Sequence, residues 1–83
     1  MADPVLDLHG LRVNEAIRRA SAFLVAEQRR GTNVVRIVTG HGTGALKQAI
    51  RDMLRVHPAV LRSSPALGSD AVTLVVLKPP PAH

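Results

Sequence analysis

Three side chains in two short motifs carry the groups needed to move protons near neutral pH. Asp7 and His9 lie in "LDLHG" (Leu6 to Gly10), and His41 lies in "TGHGTG" (Thr39 to Gly44). Cleavage of a phosphodiester needs one group to take a proton from the nucleophile and another to return one to the leaving oxygen. Two histidines can do both, and Asp7 can orient a ring and favour its imidazolium form. The second motif also places glycines at a helix start, where unpaired N–H groups attract an anion. Gly10, Gly40, Gly42, Thr43 and Gly44 are therefore candidate phosphate-binding positions, with Arg12 at the rim. Lys47, Arg51 and Arg55 follow at helical spacing as a basic stripe suited to a phosphate backbone. Each feature has a plainer meaning: a hydrogen-bonded structural histidine, a glycine turn, a solvated helix face. Their convergence favours chemistry. No metal-ligand cluster is expected, because two-metal nucleases use several carboxylates and the site offers only Asp7. Whether a divalent cation serves as cofactor is left open. His57, before a helix-ending Pro58, and His83 read as structural or incidental.

The elements that must position these residues follow from periodicity. Residues 5–9 alternate, with Leu6 and Leu8 on one face and Asp7 and His9 together on the other. Val13 to Arg30 carries Val13, Ala16, Ile17, Ala20, Phe23 and Leu24 at helical spacing, and Gly31 supplies the stop. Residues 34–39 are β-branched and apolar, as in a central strand of a parallel pair, with Arg36 assigned to the open face. Thr43 can N-cap a second helix with the stripe Leu46, Ala49, Ile50, Met53 and Leu54. Residues 60–64 and 71–78 read as two strands joined across "SPALGSD", with Pro65, Gly68 and Asp70 as turn formers. The order β-α-β-α-β-β, with right-handed crossovers running one way, predicts an α/β two-layer sandwich: a four-stranded mixed sheet with both helices on one face. Residues 1–78 form the expected domain, and residues 79–83, "PPPAH", an extended, mobile tail.

Composition bounds the partners. Eleven Lys and Arg against six Asp and Glu give a net charge of +5, so a polyanion comes first. Phe23 is the lone aromatic and sits on a helical apolar stripe, which leaves no platform for stacking splayed bases. Contacts to a nucleic-acid backbone are favoured over base reading. The chain has no cysteine, signal-like n-region or membrane-length apolar run, and a cytoplasmic, reducing setting is expected.

"LDLHGL" before a helix and a strand running into "TGHGTGAL" together resemble the Smr (small MutS-related) domain over nearly the whole chain. The "GTGALKQAIRDMLRVHPAV" stretch and the closing "VTLVVLK" look most like the Smr domain at the C-terminus of the bacterial MutS-like family that suppresses homologous recombination. The resemblance implies a sandwich like the C-terminal domain of a translation initiation factor. It also implies a nicking endonuclease acting on DNA within a dimeric parent protein, with RNA cleavage or ribosome association in some relatives. Family function maps onto Asp7, His9, Gly10, Gly40, Gly42 and Gly44. His41 departs from the Lys or Arg often found there, and "LGSD" from an "EGG"-like turn. The leading expectation is nicking of branched or duplex DNA with little sequence preference; the alternative is a docking module for nucleic acid or a ribosomal surface.

Overall fold

A computed structural model describes residues 2–41 and 44–81. The elements are β1 (Val5–Asp7), α1 (Val13–Arg29), β2 (Val34–Val38), α2 (Gly44–Val56), β3 (Val60–Ala66) and β4 (Ser69–Leu77). The sheet order is β1-β2-β4-β3, with β1 parallel to β2 and β4 antiparallel to both β2 and β3. Two antiparallel steps make β3 parallel to β2, so β1, β2 and β3 all end at one edge of the sheet, where β4 and α2 begin. Both crossovers move the same way across the sheet, and right-handedness puts both helices on one face. This is the predicted four-stranded mixed α/β sandwich.

Alternation decides which face is covered. Leu8, Val35, Ile37 and Val75 are wholly buried against Ala16, Ala20 and Leu24 of α1 and Ile50 and Leu54 of α2. Burying each large aliphatic side chain contributes about 1.5–3 kcal/mol. Their sequence neighbours Val34, Arg36, Val38, Leu74 and Val76, and Val72 two residues before Leu74, turn to the opposite face, which no second layer covers among the described residues. Arg36 lies there as expected, 3.5 Å from Asp3. At the end of α1 the positive φ of Gly31 (81°) lets the Thr32 N–H return to the Glu27 carbonyl at 3.1 Å, while the Gly31 N–H donates to that of Gln28 at 3.0 Å.

The structure corrects two expectations. β1 stops at Asp7 rather than His9: the Leu8 N–H still reaches the Val38 carbonyl at 2.7 Å, but the Leu11 N–H then closes a turn onto the Leu8 carbonyl. The final hairpin turns over Leu67 and Gly68 alone, with Gly68 at φ 80°, while Pro65 and Asp70 belong to strands. Pro65 is tolerated because β3 is an edge strand. Among the tail residues the Pro79 carbonyl accepts from the Gln28 amide, and Ala82 and His83 lie outside the described residues.

His57 ties the helix layer together. Its Nδ1 accepts from the Ala59 N–H at 3.1 Å, and its Nε2 lies 3.0 Å from Ser21 Oγ on α1. The accepting Nδ1 requires neutral imidazole with the proton on Nε2, and burial holds the ring below the ordinary value of 6.5. The unfolded chain therefore binds this proton more strongly. The stabilisation is complete above about 6.5 and lost as pH falls through that value toward the lower folded one. Urea midpoints of the wild type should fall more between about pH 7.5 and about pH 5.5 than those of His57→Gln. Equal falls in the two proteins would remove His57 from the pH dependence.

Candidate functional site

The first motif works through alternation and one glycine. Leu6 and Leu8 face the core, so Asp7 and His9 face outward together, and Gly10 at φ 78° turns the chain at once toward α1. In that short turn the Asp7 carboxylate closes back on the next outward residue. Its Oδ1 accepts from the His9 backbone N–H at 3.0 Å and lies 2.6 Å from His9 Nδ1. Both side chains remain more than half exposed. The ring hydrogen bond, then the backbone one, holds the Asp7 carboxyl below its ordinary range. With Nδ1–H donating to the carboxylate, neutral His9 keeps Nε2 as its free basic nitrogen.

The second motif meets the first through a missing side chain. Gly40 has φ 80°, and a Cβ built there would stand 3.1 Å from His9 Cβ. Its position is fixed from the far side, because the Thr39 and Gly40 N–H groups both donate to the Ala71 carbonyl of β4, at 2.8 and 3.2 Å. His9, Gly10, Gly40 and His41 then line one cleft of about 500 Å³ with Leu11, Val38, Thr39, Leu46 and Ala71. His41 is exposed and shares the cleft with His9. The three catalytic candidates thus gather at one sheet edge, with Asp7 acting through His9. Among the described residues, no group of three or more His, Cys, Asp or Glu is placed so that it could hold a metal ion.

The phosphate-binding candidates fare unequally. Gly40 lines the cleft, and the space that a Cβ would need there is taken by His9. Gly44 is the first residue of α2, with open space where a Cβ would go and no positive φ. Gly42 and Thr43, with the expected N-cap, lie outside the described residues. Arg12 is exposed at the N-cap of α1 and makes no side-chain cap hydrogen bond.

Lys47 and Arg51 stand on the expected face of α2 but are not free solvated cations. Lys47 Nζ pairs with Asp70 Oδ2, and Arg51 Nη2 lies 3.4 Å from Oδ1 of the same carboxylate. Lys47 is only 16% exposed, and its hydrogen bond holds the Asp70 carboxyl below its ordinary range. Asp70 read as a turn residue in the sequence. The 23 positions separating it from Lys47 carry no local signal, and only the arrival of β4 beside α2 brings them together.

A family model for the Smr domain matches residues 6–78. The chain belongs to the Smr domain family. It is 42% identical over 79 residues to the endonuclease MutS2 of Thermomicrobium roseum, a match covering 92% of this chain and 10% of that protein. The crystal structure of the Smr domain of Thermus thermophilus MutS2 superposes with a TM-score of 0.88 at 38% identity, covering 92% of this chain and 99% of that one. The solution structure of the SMR domain of NEDD4-binding protein 2 gives 0.75 at 28% identity, covering 99% and 93%. This Smr chain therefore spans about a tenth of the length of the MutS2 relative it matches.

The two described glycines of the second Smr motif, Gly40 and Gly44, both candidates for phosphate binding, make a direct comparison. Gly40→Ala should lower the unfolding free energy by about 1–2 kcal/mol, from left-handed strain, and press on His9 as well. Gly44→Ala, at an ordinary helical position with open space, should be neutral or mildly stabilising. Urea denaturation checks both, and equal effects would mean that contact with His9 is not what requires a glycine at position 40.

Proposed function

We propose that this Smr domain is a nucleic-acid endonuclease module that nicks branched or duplex DNA with little sequence preference. The observation that carries the reading is the His9 ring, held at Nδ1 by Asp7 with Nε2 left free, in a cleft shared with a second histidine. Water attacking a phosphodiester gives its proton to His9 Nε2 as the P–O bond to it forms. His41, as imidazolium, protonates the oxygen that leaves as the other P–O bond breaks. Asp7 stabilises the imidazolium that His9 becomes. Lys47 and Arg51 hold the flanking phosphates once these displace Asp70 from the pair. The names of the MutS2 relatives, which are endonucleases, support the same class of reaction. The lack of aromatic side chains beyond Phe23, which packs against the core, supports contact with the strand rather than with bases.

Relaxation of supercoiled plasmid tests the reading. The wild type should produce open circles with a bell-shaped pH profile between about pH 5 and 8. His9→Ala should lose about 10²–10⁴-fold in rate with an unchanged urea midpoint, because the side chain is exposed. Asp70→Asn, which frees both cations, should tighten DNA binding. Nicking by His9→Ala at the wild-type rate would remove the proposed base. Binding without nicking in the wild type would leave a docking module.

A further inference from the structure

Away from the His9 cleft, a second depression of about 210 Å³ lies between α2 and β3, lined by Arg51, Arg55, Ser63, Ser64, Pro65 and Thr73. Its lining holds two guanidinium groups, Ser63 on the helix side of the sheet beside the buried Thr73, and the β3 edge at Ser64 and Pro65, with no carboxylate. Arg51 and Arg55 stand one turn apart on α2, an arrangement of like charges that destabilises an isolated helix slightly. Asp70 meets Arg51 through a single nitrogen, and among the described residues Arg55 has no carboxylate partner. The nearby acid on the helix, Asp52, accepts instead from Gln48. Ser63 and Ser64 are exposed on β3, which among the described residues pairs only with β4, so its outer edge adds unpaired backbone N–H donors. Pro65 lacks an N–H and so interrupts any further strand along that edge. A donor-rich concavity with two forked cations matches a phosphate, which arginine grips with paired N–H bonds.

We propose that this depression is a second phosphate subsite, taking a backbone phosphate of the same nucleic-acid strand that is cut at the His9 cleft. The proposal rests on the endonuclease reading and adds the course of the strand. From the cleft the track runs past Lys47 and Arg51 to Arg55, in steps of four residues or about 6 Å along the helix axis. That step is of the order of the separation between successive phosphates. Arg51 belongs to both ends, since it touches Asp70 beside Lys47 and also lines the depression. The strand therefore leaves the cleft along α2 toward β3, and not over the apolar open face of the sheet.

The test is an NMR titration of the whole chain, following backbone amides and arginine Nε–H signals. One arm adds a short DNA duplex and the other inorganic phosphate. A salt titration of duplex binding accompanies it for the wild type, Arg55→Gln, the Ser63→Ala/Ser64→Ala pair, and Arg29→Gln on α1 as a charge control. The duplex should move Arg55, Ser63 and Ser64 together with Gly40, His41 and Lys47. Arg55→Gln should reduce the salt slope by about one unit, so that its disadvantage shrinks three- to fourfold between about 50 and about 200 mM salt. The serine pair should weaken binding with the charge unchanged, and Arg29→Gln should leave the slope alone. If the duplex moves only the cleft signals, the subsite is overturned and the endonuclease reading stands. If it moves neither set, both fall. Perturbation of Arg55 by inorganic phosphate but not by duplex, or an equal slope change in Arg29→Gln, also overturns the strand subsite.

Discussion

The arrangement at the sheet edge depends on one close approach, that of Gly40 to His9. The two motifs lie about thirty residues apart in sequence and come together because β1 and β2 are parallel neighbours. Parallel pairing delivers both strand ends to one edge, yet pairing alone does not let the loops touch. Contact requires the backbone at position 40 to pass the β-carbon of His9, where any side chain would sit at 3.1 Å. It also requires a positive φ, which glycine adopts without strain. With Gly40 anchored to the Ala71 carbonyl behind it and His9 fixed to Asp7 in front, the imidazole is held from two sides although it remains solvent-exposed.

Beside this contact, one carboxylate neutralises the cations of α2. Asp70 stands at the start of β4, the strand whose Ala71 carbonyl also anchors Thr39 and Gly40. Its carboxylate offsets Lys47 and Arg51, which would otherwise stack like charges near the positive end of the α2 dipole. A backbone phosphate, a monoanion with the same kind of oxygens as this carboxylate, is the anion that the proposed function would exchange for it. The hairpin thus serves both packing and electrostatics.

Most of the fold and part of the site were legible in the sequence, for different physical reasons. Alternation in "LDLHG" set Asp7 and His9 on one face, and local spacing is enough for that because the interaction spans two residues. The helices were legible from their stripes, which the core bears out at Leu24, Leu46, Ile50 and Leu54. What could not be read depends on tertiary neighbours. The partner of Lys47 and Arg51 comes from a strand that antiparallel pairing alone brings near α2. Ser21 and His57 likewise meet only because the two helices share a face. The hairpin's limits differ from the local signal because Pro65 and Asp70 are statistical turn formers, whereas an edge strand admits proline and a strand start admits aspartate. That Gly40 passes His9 Cβ is likewise invisible in the sequence, which does not reveal which atom fills the space beside a glycine.

The most direct measurement is the tautomer of His9, read from long-range ¹H–¹⁵N correlations of its neutral ring. An Asp7 carboxylate on Nδ1 and a free Nε2 require the proton on Nδ1, the reverse of the form that a free imidazole side chain prefers in water. Expected is the Nδ1–H form in the wild type, lost in Asp7→Ala and weakened in Gly40→Ala. A His9 ring carrying its proton on Nε2 in the wild type, with the same spectrum in both variants, would contradict the site described here.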